Sequence, residues 1–319
     1  MTTSHDATPS ATTVASQRFI AEHMAKAVAL GDHLADLAET PNAFLADIHK
    51  GFAQMSDPAS ADGIRAVAPT IGPVLGVRLP LLEATFKQFR KCIKDVPAAG
   101  LFDIADRLLR EEDAEFHWFG MWMLERLLAA DTERTWQMMR RAARDAGDWI
   151  SVDTLAHPYA LGLLLESKRW SDVQQLVHSS SRWERRLVGA TVATLPHIKR
   201  VGAKDKSVAG RCLMLIGQLM GDPEPDVQKA LSWALRSLAP IDPAGVVAFA
   251  TKEAETARTT KDGGRAWVIK DALPKLPPEA QSTLRPILAG VRRRASAPSQ
   301  IQAAASAVDP ALITAAPRL

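Results

Sequence analysis

Cysteine is nearly absent from this chain. Only Cys92 and Cys212 occur in 319 residues, far apart and without a CxxC partner. A disulfide scaffold is therefore excluded, and both read as reduced thiols of a cytosolic protein. Long apolar runs are missing too: charged residues interrupt each one well before the roughly 18 residues a membrane span needs. The first residues, MTTSHDATPSATTVASQ, lack the charged-then-apolar order of a secretory leader. The expectation is a cytoplasmic protein with no membrane partner. Alternating strand patterns bounded by Asn-Gly turns are absent, as is any βαβ order. No HExxH, no P-loop and no GxGxxG after a strand is found, so metalloprotease, P-loop nucleotide and dinucleotide chemistry have no foothold. The histidines His117, His157, His178 and His197 are isolated and read as structural or exposed. The run Ser179-Ser180-Ser181 reads as the start of a helix and not as a nucleophile. No metal and no cofactor is expected.

What the chain does have is helical periodicity. With 47% hydrophobic residues it can bury a sizeable core. Segments such as LLEATFKQFRKCI (81–93), AGLFDIADRLLREE (99–112), EFHWFGMWMLERLLAA (115–130) and TERTWQMMRRAARDA (132–146) place apolar residues at three- and four-residue steps. Asp131 and the Asp222-Pro-Glu-Pro-Asp stretch resemble helix starts with caps and early acids. HWFGMWM reads as core. The fold class expected is all-α.

These helices recur. Similar segments begin at Glu115, Trp149, Trp183, Lys229 and Arg265, with steps of 34, 34, 46 and 36 residues. Partner helices such as WSDVQQLVHS and AGRCLMLIGQLM lie between them. Helix pairs at this period predict an α-solenoid (superhelix) of HEAT-like repeats, whose equivalent helices line one concave face. The domain boundaries expected are a disordered tail over 1–17, the solenoid over 18–294, and a low-complexity tail over 295–319. The Pro/Gly stretch APTIGPVLGVRLP is expected to be an ordered connection, and the protein a monomer.

Charge is close to balanced overall, at +3 with a pI of about 8.9. Between Lys168 and Arg211, however, ten basic residues face three acidic ones. That local excess suits a polyanionic partner. Within DWISVDTLA (148–156), Trp149 and Asp153 stand one helical turn apart and share a face. If Trp149 with Asp153, Arg186, and Trp233 with Arg236 hold similar places in three successive repeats, two rings, one carboxylate and two guanidinium groups meet in one groove.

The same residues carry a resemblance. GVRLPLL (76–82), the W-x3-D of WISVD, the W-x2-R of WERR and the block VQKALSWALR (227–236) resemble the AlkD-type DNA alkylation repair family, HEAT-like repeat DNA glycosylases. The likeness spans roughly residues 70–275. It departs at Asp148, where the family often has a second aromatic, and at both tails. It implies a concave DNA-binding face, Asp153 as the catalytic carboxylate and Trp149 and Trp233 as its flanking rings. Arg186 is implied as a contact to the DNA backbone. Arg236, Arg185 of the same WERR block and Lys229 of VQKALSWALR are expected to join it on DNA. The implied substrate is double-stranded DNA carrying cationic alkylated purines such as 3-methyladenine and 7-methylguanine. Two other readings compete with this one: a non-catalytic solenoid that binds damaged or branched DNA, and a protein-interaction scaffold.

Overall fold

The computed structural model describes residues 11–293, which contain fifteen α-helices and no strand. The all-α expectation therefore holds among the described residues. Contacts gather them into two compact units, where the sequence reading had one domain over 18–294. The tail expected over 295–319 lies outside the described residues. At the other end the expectation is corrected: residues 11–17, read as tail, form the start of a helix. Ala11, Ala15 and Gln17 are good helix formers and offset the threonines, valine and serine between them.

The first unit holds α1 (Ala11–Asp36), α2 (Pro41–Ala53), α3 (Pro58–Val67), α4 (Leu79–Cys92), α5 (Ala98–Leu108) and the beginning of α6 (Ala114–Ala130). The Phe rings of Phe44, Phe52, Phe89, Phe116 and Phe119 are fully buried in it, and Phe86 stands edge-on to Phe119 at 5.1 Å. The connection before α4 is ordered, as expected. Buried Glu115 accepts the backbone N–H groups of Leu75, Gly76 and Val77 at 3.1, 2.7 and 3.1 Å. Gly76 adopts φ +85°, a left-handed geometry that glycine enters without steric cost. Arg78 closes the stretch by donating from Nε to Asp57 at 2.7 Å. GVRLPLL is thus an architectural element of this unit.

The second unit contains the rest of α6, then α7 (Thr132–Asp145), α8 (Trp149–Leu165), α9 (Arg169–Gln175), α10 (Arg182–Thr194), α11 (Lys206–Gly217), α12 (Pro225–Leu238), α13 (Pro243–Thr260), α14 (Gly263–Ala272) and α15 (Pro278–Ile287). Helices α8, α10, α12 and α14 pack as successive neighbours in one row. That arrangement of every second helix is what stacked helix pairs require. Helix α12 shows how the row is built. Val227, Ala230, Leu231, Ala234, Leu235 and Leu238 recur at three- and four-residue steps and are all buried. Burying each large aliphatic among them is worth about 1.5–3 kcal/mol relative to leaving it in water. Gly189 of α10 lies so close to α12 that an added Cβ would stand 2.8 Å from that of Ala230.

Short polar residues fix where the helices begin. Asp131 accepts from Arg134 N, Asp148 from Ile150 N and Ser151 N, Ser181 from Trp183 N, and Asp262 from Arg265 N. Each satisfies amides that have no partner in the first turn. Before α12 the expected acidic cap takes another form: Glu224 makes no side-chain cap bond, Pro225 opens the helix, and Asp222 turns back onto Glu224 N at 2.9 Å. Among the described residues no helix is long and apolar enough to cross a membrane.

Candidate functional site

The caps set a common phase. Counting from the first residue, the fifth position is Asp153 in α8, Arg186 in α10, Lys229 in α12 and Trp267 in α14. Because these helices are neighbours in the row, the four residues form a stripe near the helix N-termini.

The centre of the stripe is an ion pair. Arg186 donates from Nη2 to Asp153 Oδ2 at 2.7 Å and from Nε to Oδ1 at 3.1 Å. Its Nη1 donates to the Asp226 carbonyl at 2.8 Å, which ties the pair to the first turn of α12. Arg186 is 1% exposed, and the Asp153 side chain is 11% exposed. This two-pronged geometry holds the carboxylate in one orientation.

Two further acids surround Arg186. Asp148, buried as the cap of α8, accepts from Ser151 Oγ at 2.7 Å as well as from two amides. Asp226 is buried too, and its Oδ1 accepts no hydrogen bond among the described residues. Burial pushes the Asp153 carboxyl above its ordinary value, Arg186 opposes that rise, and the charges of Asp148 and Asp226 add to it. Asp148 is likewise raised by burial against its hydrogen bonds.

The expected residues distribute as follows. Asp153 and Arg186 are brought together. Trp149 opens α8 one turn before Asp153 and is half-buried. Trp233, also half-buried, is the ninth residue of α12, two turns beyond the position of Trp149 in its own helix. The two rings are therefore not at comparable points of their repeats, as the sequence pattern had suggested. Arg236 donates to Asp271 of α14 and, at 3.0 Å, to Ser232. Lys229 stands 3.7 Å from Asp271 and 5.5 Å from the centre of the Trp267 ring.

Two of the residues expected on DNA are engaged within the protein in this structure. The Arg186 guanidinium is buried and committed to Asp153 and to the Asp226 carbonyl. Arg185 is similarly engaged: Nε donates to Asp222 at 2.6 Å and Nη1 to the carbonyls of Ser179 and Ser180. It holds the start of α10 to the turn before α12.

Sequence reasoning missed Asp226, Trp267 and Arg293. The Trp267 ring carries Arg293 as well as Lys229, the guanidinium carbon lying 5.4 Å from its centre. The cap-to-site spacing was a signal that could have found Trp267. It is five residues after Asp262, as Asp153 is five after Asp148 and Arg186 five after Ser181.

A carboxylate fixed by a guanidinium, with one half-buried indole on its own helix and another on α12, can place a negative charge beside a cation and turn a water toward it. The family profile described as DNA alkylation repair enzyme matches residues 48–276. Among solved structures, the chain is similar to a predicted DNA alkylation repair enzyme from Enterococcus faecalis, at 17% sequence identity and a TM-score of 0.49. That similarity covers 74% of this chain and 98% of the other. No curated protein matches the chain. The profile runs through α8, α10, α12 and α14 and takes in the whole Asp153–Arg186 stripe, and by that match the chain belongs to the DNA alkylation repair enzyme family.

Proposed function

We propose that this protein is a DNA glycosylase that removes cationic alkylated purines, of the 3-methyladenine and 7-methylguanine type, from duplex DNA. The observation that carries the reading is a single oriented carboxylate, Asp153, gripped by a guanidinium that stays charged at any physiological pH. A purine alkylated at N3 or N7 already bears positive charge. When its bond to C1′ breaks, the electron pair moves into the base and the base leaves neutral. No acid has to protonate it. The remaining demand is a negative charge beside the oxocarbenium ion that forms at C1′. Asp153 supplies that charge. It also orients the water that adds to C1′ and accepts the proton this water gives up, leaving an abasic site.

Arg186 acts through Asp153 and is a positioning residue. It holds both carboxylate oxygens while leaving each a further lone-pair direction toward substrate. The Trp149 and Trp233 rings favour a cationic nucleoside through their π faces, by about 0.5–2 kcal/mol each. Neutral lesions such as uracil lack the built-in leaving charge and are poor substrates.

One observation favours a second reading, a DNA-binding relative without chemistry: both oxygens of Asp153 are already engaged by Arg186. Incubation of the full chain with methylated duplex DNA separates the two readings. Free 3-methyladenine or 7-methylguanine with matching abasic sites supports the glycosylase, and intact DNA that is bound but not cut supports the relative.

A further inference from the structure

We propose that residues 198–206, which link α10 to α11, form a second phosphate-gripping element that holds the duplex about half a helical turn from Asp153. The proposal rests on the reading of duplex DNA as the partner.

The basic excess between Lys168 and Arg211 is not spread evenly over the structure. Much of it is neutralised in place: Arg169 is bound to Glu133 and Glu166, Arg185 to Asp222, and Arg186 to Asp153. In contrast, Lys199, Arg200, Lys204 and Lys206 are all exposed, and none makes an ion pair among the described residues. The stretch has one acid, Asp205, which precedes α11. At its tip stands Val201, 95% exposed, the most exposed large apolar side chain among the described residues. Four uncompensated cations around an apolar tip suit a backbone of phosphates separated by sugars.

The loop has a defined conformation. Arg200 N donates to Ile198 O at 2.9 Å, and Asp205 N donates to Gly202 O at 3.1 Å. Gly202 takes φ +89°, and Ala203 is buried. An added Cβ at Gly202 would lie 3.9 Å from a methyl of Leu164, so the loop rests on the end of α8. Leu164 is eleven residues after Asp153 on one helix. That spacing is about three turns, so the two residues share a face about 16 Å apart along the axis. A full turn of duplex measures about 34 Å, so a strand held at Asp153 can present its backbone to the loop half a turn away.

The test uses the full chain and the variant Lys199→Ala/Arg200→Ala/Lys204→Ala/Lys206→Ala. Binding to unmodified duplex is followed by fluorescence anisotropy over a salt series, with far-UV circular dichroism and melting temperature as controls for folding. The variant is expected to lose at least tenfold in affinity at low salt. Its plot of log affinity against log salt should be shallower by up to about 0.9 for each phosphate contact removed. The charge-preserving variant Lys199→Arg/Arg200→Lys/Lys204→Arg/Lys206→Arg should bind like the wild type. Unchanged affinity and slope in the alanine variant would overturn the proposal. So would failure of the wild type to bind duplex. Base release by the wild type is scored separately. A chain that releases no base but loses its salt slope in the alanine variant keeps the loop and loses the glycosylase. Base release with an unchanged slope does the reverse.

Discussion

Arg186 and Asp153 face each other across α10 and α8 with both carboxylate oxygens engaged, at 2.7 and 3.1 Å, and almost no water has access to the guanidinium. A pair in this setting is sensitive to the loss of either member. The attraction between the charges offsets a large desolvation cost, and a single survivor bears that cost alone.

Removing the guanidinium is therefore expected to act on stability first. Arg186→Ala leaves the Asp153 charge buried without its partner and should cost about 3–5 kcal/mol of unfolding free energy. Urea denaturation of wild type, Arg186→Met, Asp153→Leu and the double variant measures the coupling. The double variant should recover much of the loss of either single one. Additive losses would mean the pair contributes nothing as a pair.

Asp153→Asn keeps the shape of the side chain and removes its charge. Single-turnover release of 7-methylguanine under saturating enzyme should fall on the order of 100-fold or more. Affinity for duplex DNA should hold or rise slightly, because a carboxylate near phosphates is repelled in the ground state. Equal release rates in wild type and variant would take Asp153 out of the mechanism.

The pH dependence follows from the direction of the Asp153 shift. Burial raises its carboxyl above the ordinary aspartate value, so the active anion is lost on acidification at a higher pH than for an exposed aspartate. The acidic limb of the release rate should have its midpoint above that value. The stability sign is opposite. A raised native value means the folded protein holds this proton more tightly, so ionising Asp153 weakens the fold as pH rises through the window and acidification relieves that penalty. Activity should accordingly fall before near-UV circular dichroism reports any loss of tertiary structure from this group. Coincident midpoints would contradict the assignment.

The rings should matter less than the charge. Trp149→Ala and Trp233→Ala are each expected to slow release by the equivalent of about 1–2 kcal/mol, a factor of roughly 5–30. Since Trp233 lies two turns further along its helix than Trp149 does, the two losses need not match. A loss at Trp233 equal to that of Asp153→Asn would assign the ring a role beyond cation binding.

The helices, their caps and their recurrence were legible in the sequence because they depend on local chemistry. Apolar spacing in VQKALSWALR is enough to bury Val227, Ala230, Leu231 and Leu235 on one side of α12, and Asp131 or Asp148 caps the amides that follow it whatever lies elsewhere. Asp153 and Arg186 were singled out in the sequence by the repeat phase and the motif resemblance, and the structure brings the two together. What each basic residue touches was not. Arg185 and Arg186 are adjacent in sequence and identical in chemistry, yet one closes onto Asp222 and the other onto Asp153. Lys199 and Arg200 look no different in the sequence and stay in water. An arginine's partner depends on which acid the packing of neighbouring helices brings within about 3 Å, and those acids lie 33 to 37 residues away along the chain. Local patterning determined the helices of this protein, and only the stacking of α8, α10, α12 and α14 decided which charges were paired and which were left free.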